Sequence, residues 1–304
     1  VHAGTRHRGE ASWARAIWQY GEPVHAITYY APERREATDA LGLKGGWMSY
    51  FGCRAAPLGA ATAPVVTALF YNFHPQMVAR AIPDVWSCAT PAALLDARIA
   101  AMDGAMRRVL GDDAISSSSV ARAADLAAAA VARCNMAGRP MGAANQAVPE
   151  PGDAHLRLWQ ALTAMREHRG DGHIDRLVEA DVLPPEALVL QAVTGRSPED
   201  GLRSNRGWSA DDWSAAAASL RARGLVDDDM RMTFAGAELR QAIEDGTDRL
   251  AAPIAAAIGY DGADELVGLL RPLAHAVMTA GAVPAHNNMG VPWPPPATDS
   301  PTRP

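Results

Sequence analysis

Apolar residues in this chain recur at every third or fourth position and rarely at every second, a spacing that points to packed helices. Leu156, Trp159, Leu162 and Met165 line one such face, and Trp47, Tyr50, Phe51 and Arg54 line another. Residues three and four apart share one side of a helix, whereas a half-buried strand needs strict alternation. Only GLVDDDMRMTFAG offers strand candidates, two short ones about an acidic turn. The class is therefore mainly α.

Glycine and proline punctuate the helical stretches. The first dozen residues are polar and read as loose. Periodicity starts at Trp13, passes Ile17 and Tyr20, and meets Gly21 and Pro23, which should interrupt it. Thr90 before Pro91 is a favourable helix start, because a hydroxyl caps the first turn and proline has no N–H to leave unpaired. Pro253 should break a long helix that begins near residue 234. Residues 284–304 carry seven prolines among 21 and read as a disordered tail. The expected division is an N-terminal helical domain over 13–150, a helical connector with a winged-helix-like domain over 151–283, and the tail.

Composition narrows the class of protein. With 48% hydrophobic and 20% charged residues the chain can bury a sizeable core. No apolar run approaches the roughly 18 residues of a membrane span, and the opening VHAGTRHRGEASW lacks the apolar stretch of a secretory signal. Cys53, Cys88 and Cys134 are scattered with no CxxC spacing, which reads as a reduced, cytoplasmic chain without a zinc site of the usual pattern. GxSxG, GxGxxG and GxxxxGK[ST] are all absent, so nothing argues for a nucleotide fold. Cofactor and metal content stay open.

Chemistry-bearing residues concentrate in REHRGDGH, residues 166–173. Gly170 is a plausible C-cap for the helix before it. A Gly-Asp-Gly turn would then bring His168 and His173 to one cavity, with Glu167 or Asp171 nearby. A histidine beside a carboxylate is a general-base arrangement, which makes His168, His173, Glu167 and Asp171 the candidate catalytic set. Two histidines and a carboxylate also suit an open metal site, although HxxxxH across a turn is no established metal spacing. The same residues serve equally as a polar corner between helices, with Asp171 capping the second. All three readings stay open.

The candidate ligand-binding residues are His25, Tyr29, Arg54, His74 and Arg169. His74 sits among Phe70, Tyr71 and Phe73, and Pro75 disfavours helical geometry there. Tyr29 lies one turn beyond His25. Arg54 ends an apolar face, and a buried guanidinium needs either a carboxylate, from Glu22, Glu167 or Asp171, or an anionic ligand.

The stretch 185–250 resembles a winged helix of the MarR type, on the strength of SADDWSAAAASLRARG, the following LV, the turn DDDMR and TFAGAELRQAIEDGTD. That resemblance implies a helix entering the DNA major groove, a hairpin wing on phosphate, and dimerisation through a terminal helix. From Trp13 to about Met278 the chain also resembles a family of actinobacterial helix-turn-helix proteins, carried by EPVHAITYYAPE, GLKGGWMSYFGCRAAPLG, FYNFHPQMVARAIP and REHRGDGH. This second resemblance implies little chemistry.

Charge argues against a grip on nucleic acid. Residues 196–250 hold eight arginines and eleven acids. Ala210, Asp211 and Asp212 start the would-be reading helix, and Asp227, Asp228 and Asp229 occupy the wing tip. DNA affinity rests largely on neutralised phosphates. The expected function is a small-molecule-binding protein, with enzymatic use of the His/carboxylate pocket undecided and the winged helix as scaffold. The alternative is a ligand-responsive regulator that binds DNA.

Overall fold

The computed structural model describes residues 2–195, 197–291 and 293–295. Sixteen α-helices make up the described part. The N-terminal group is α1 (His2–Tyr30), α2 (Pro32–Ala40), α3 (Gly45–Ala55), α4 (Ala63–Leu69), α5 (Pro75–Ala79), α6 (Asp84–Cys88), α7 (Pro91–Leu110), α8 (Asp112–Ile115) and α9 (Ser118–Arg133). Then come α10 (Pro140–Gln146), α11 (Ala154–Glu179), α12 (Pro184–Ala192), α13 (Glu199–Ser204), α14 (Ala210–Ala222), α15 (Phe234–Ala256) and α16 (Gly259–Thr279). No helix is long and apolar enough to cross a membrane.

Several starts follow the local chemistry. Thr90 Oγ1 accepts from the N–H of Ala93, and Ser117 Oγ from that of Val120. Ser209 and Asp212 form a reciprocal capping box at 3.1 and 3.0 Å.

Three expected interruptions do not occur. The first helix starts at His2 rather than Trp13 and runs through Gly21 and Pro23 to Tyr30. Likewise α15 continues through Pro253, and α11 runs unbroken through Gly170 and Gly172. These glycines serve close packing. A Cβ on Gly21 would lie 3.0 Å from Leu162 Cδ2, and one on Gly172 3.1 Å from Leu250 Cβ. A mid-helix glycine costs about 1 kcal/mol, whereas burying one large apolar side chain gains about 1.5–3 kcal/mol. Trp159, Leu158 and Leu162 are all buried on α11, so packing wins.

The largest core gathers α1, α7, α9, α11, α15 and α16, thus elements from both sides of the boundary expected near residue 150. A second core holds the short helices α3 to α6 around Phe51, Phe70 and Phe73. A third closes α12, α13 and α14 around Leu188, Leu202, Trp213 and Leu220, with Leu177 from α11 and Ile243 from α15. We call this third group, three consecutive helices joined by turns, the helix-turn-helix unit for its geometry alone.

The two expected wing strands are not formed. In their place stands one antiparallel bridge, Val226 with Met232, about a turn in which Asp227 N–H donates to the Arg231 carbonyl at 2.9 Å. Asp227 is turned inward on its own loop, accepting from the N–H groups of Asp229 and Arg231, which leaves too few residues for a ladder. The start of the proline-rich segment is packed against the helix-turn-helix unit. Asn287 is buried, its carbonyl accepts from Ser197 Oγ at 2.7 Å, and the Asn288 carbonyl accepts from Gln191 Nε2. Residue 292 and residues 296–304 of that segment lie outside the described residues.

Candidate ligand-binding cavity

A cavity of about 300 Å³ opens where α1, α3, α11 and α15 meet the helix-turn-helix unit. That volume is at the lower end for small-molecule sites. Six arginines line it, Arg15, Arg54, Arg166, Arg169, Arg206 and Arg240, against four carboxylates, Glu22, Glu167, Asp171 and Glu244.

The arginine-to-acid pairing differs from one end of the cavity to the other. At one end Arg15 and Arg169 both bind Asp248, at 2.5 and 2.7 Å, and Glu244 stands within 3.1 and 3.7 Å of them. These charges are matched locally. At the other end Arg54 lies bidentate on Glu167, and Arg166 donates to the same carboxylate at 3.0 Å. Burial alone would raise the Glu167 carboxyl, but the Arg54 and Arg166 charges outweigh it and hold the group well below the usual range.

Arg206 faces the cavity from the α13–α14 linker with no carboxylate partner among the described residues. Its Nε is buried without a hydrogen bond, Nη1 reaches only the Asn205 carbonyl at 3.3 Å, and the guanidinium lies over the Phe73 ring at 4.6 Å. Burial, with Arg54 and Arg166 nearby, lowers its pKa. The linker is fastened to the N-terminal helices: the Arg206 carbonyl accepts from His74 N–H at 2.8 Å, and Trp208 Nε1 donates to the Asn72 carbonyl at 2.9 Å.

The expected catalytic set divides over two faces of α11, because Gly170 and Gly172 do not break the helix. Residues five apart on a helix point well away from each other. His168 turns from the cavity and meets Cys134 Sγ at 3.4 Å. Burial, then Arg139, pushes its pKa down to about 4, and burial raises that of the thiol, so both are neutral. His173 does line the cavity. Its Nδ1 is 3.0 Å from Thr247 Oγ1, which already donates to the Ile243 carbonyl. Nδ1 therefore carries the proton, and the lone pair is on Nε2. Glu167 and Asp171 also reach the cavity. Asp171 accepts from Gly142 N–H at 2.9 Å, and burial, opposed by that hydrogen bond, pushes its carboxyl up to about 6.

Of the expected ligand-binding residues, Arg54 and Arg169 line the cavity and His25, Tyr29 and His74 do not. His25 is sandwiched between Thr163 and Tyr29, both at 3.0 Å, and the pair borders a separate void of about 20 Å³, room for roughly one water. Burial lowers the His25 pKa well below its ordinary value. His74 caps α5, accepting from Gln76 N–H, with its ring against Trp208. The histidines therefore do not share one hollow, since each of these two is committed to its own structural bond. Among the described residues no group of three or more His, Cys, Asp or Glu side chains is placed to hold a metal ion.

Glu22, Arg166, Arg206 and Gln191 were absent from the expected site. Glu22 was legible only as a possible partner of Arg54, and Arg206 carries no local pattern at all.

The architecture defines a mainly helical protein in which a helix-turn-helix unit closes over a polar cavity. A family model described as a helix-turn-helix family matches residues 14–284, and the chain belongs to that family. No curated protein and no solved structure matches the chain.

Proposed function

We propose that the cavity binds a small acidic molecule, and that the helix-turn-helix unit serves as one wall of the site. The observation that carries this is Arg206, a guanidinium facing a half-open polar space with no carboxylate to answer it. A buried guanidinium without a counter-ion is costly, and an anionic ligand supplies the missing acceptor. Arg54 and Arg166 share one carboxylate and add positive charge at the same end. Thermal-shift and calorimetric screens with aliphatic and aromatic acids, sulfate and phosphate test the reading. Binding that Arg206→Gln weakens supports it, and no response to any of these anions defeats it. Any proton transfer here falls to Asp171, whose carboxyl near 6 suits a base at neutral pH, rather than to the buried His168.

A second reading, a ligand-responsive regulator of the MarR type that binds duplex DNA, is favoured by membership of a helix-turn-helix family. The unit's own charges oppose it. Arg206 turns inward, Arg223 binds Glu186 and the carbonyls of Ala180 and Asp181, and Arg203 stands 3.5 Å from Asp200. Exposed Asp211 and Asp228 occupy the would-be contact points. Salt-sensitive, submicromolar duplex binding by the full chain would establish the second reading.

A further inference from the structure

We propose that Arg206 and Glu22 form the two poles of a subsite for a compact dianionic oxyanion, a phosphate monoester group or inorganic sulfate, with Glu22 donating a hydrogen bond to it. This rests on the acidic-ligand reading above and adds the class of head group and its protonation partner.

Three buried side-chain atoms in the cavity wall lack any partner: Arg206 Nε, Glu22 Oε2 and Asn72 Oδ1. The first is a donor, the second belongs to a carboxyl group, and the third is an amide oxygen, which gives an anion nothing. The other Glu22 oxygen stands 3.5 Å from Arg166 Nε, so the carboxyl is only loosely paired. An ionised carboxylate in that position would repel an anion at Arg206. A protonated one has an O–H to give, and a ligand oxygen is the acceptor it lacks.

The local charge count favours a dianion. Arg54, Arg166 and Arg206 bring three positive charges and Glu167 one negative. With Glu22 neutral the excess is two, which a dianion cancels. The donors stand on separate elements, Glu22 on α1, Arg166 on α11 and Arg206 on the α13–α14 linker. That spread suits a group with three outward oxygens better than a planar carboxylate with two.

The surroundings of Glu22 set the direction of its titration. On α11, Arg166 and Glu167 face it; on α3, Arg54 does. Farther around the wall stand Arg169, Asp171 and His173 of α11, Arg240 and Glu244 of α15, Tyr50 of α3, and Arg15 of its own helix. Burial raises the Glu22 pKa, Arg166 opposes, and Glu167 adds to the rise. An arriving dianion pushes the same way, so binding takes up a proton wherever Glu22 would otherwise be partly ionised.

The test is calorimetric titration of the full chain with sodium sulfate, which does not itself titrate near neutrality. Sodium benzoate is the planar monoanion for comparison. Each titration is run in buffers of high and low ionisation enthalpy, from mildly acidic to mildly alkaline pH. Expected are sulfate binding tighter than benzoate, proton uptake on binding, and affinity that falls as pH rises. Arg206→Gln should weaken sulfate about tenfold or more, whereas Glu22→Gln, which keeps a donor, should retain affinity and abolish the uptake. Sulfate binding without uptake at any pH, or Glu22→Gln weakening sulfate as much as Arg206→Gln, overturns the role of Glu22. Absence of uptake is read on the unaltered protein, so a variant that misfolds leaves that outcome decisive, and Asp171→Asn separates any uptake by Asp171, whose carboxyl near 6 also lines the cavity. Benzoate preferred over sulfate, with the same dependence on Arg206, removes the dianion subsite and keeps the acidic-ligand cavity. Binding of neither anion removes both.

Discussion

The Arg54 guanidinium closes on Glu167 through two bonds, Nε to Oε1 at 2.7 Å and Nη2 to Oε2 at 2.9 Å. Both residues border the large cavity and also the small void beside His25, so this ion pair is the partition between them. Removing one partner leaves the other charge buried without its match. Arg54→Leu should cost about 3–5 kcal/mol of unfolding free energy in urea titrations. Glu167 is held below its unfolded value of 4.5, so the stability it contributes is complete above that value and is lost as pH falls through the folded one. Glu167→Gln should therefore flatten the acid limb of the stability curve.

His168 gives a second pH signature at a higher window. Its pKa falls from 6.5 in the unfolded chain to about 4 in the folded one. Its contribution is complete above 6.5 and drains away as pH drops toward 4, because the unfolded state takes up the proton first. The urea midpoint of the natural protein should fall between about pH 7 and about pH 5, and His168→Gln should show a smaller fall. Ligand affinity at neutral pH should survive this change if the helix keeps its seat, since His168 does not line the cavity.

Gly142 marks where α10 crosses α11. A Cβ there would stand 2.9 Å from the His168 Cα, and its N–H is the donor to Asp171. Gly142→Ala should destabilise by about 1–3 kcal/mol through overpacking. It should also loosen the Asp171 hydrogen bond, and the carboxyl should titrate higher by NMR as a result.

Trp208 fastens the helix-turn-helix unit to the N-terminal helices through its bond to the Asn72 carbonyl. Trp208→Phe keeps a ring against His74 and loses that donor. About 1 kcal/mol of stability should go with it. Amide exchange in residues 72–77 and 203–208 should quicken, and anion affinity should drop because Arg206 sits two positions away.

What the sequence revealed follows from how local each cause is. The Thr90–Pro91 start depends on neighbours within three residues and was legible. Glu167 was named for Arg54 beside Glu22, Asp171 and an anionic ligand, because a buried guanidinium demands a negative partner. REHRGDGH misled because two glycines in three positions ordinarily end a helix. Here Leu250 of α15 comes up against Gly172, and a contact 78 residues distant leaves no trace in the local pattern. Arg206 was hidden for the same reason. It is one arginine among 27, and only the fold leaves its Nε enclosed and unanswered.

One rigid rod, α11, carries Glu167 and Asp171 toward the cavity and His168 toward Cys134 on its far side. Twist applied at either flank is transmitted to the opposite one, since a helix turns as a body. A lesion at the thiol flank, such as oxidation or crowding at Cys134, would thus reset the spacing of the guanidinium clasp without touching it. A substitution that never borders the cavity can therefore alter its shape.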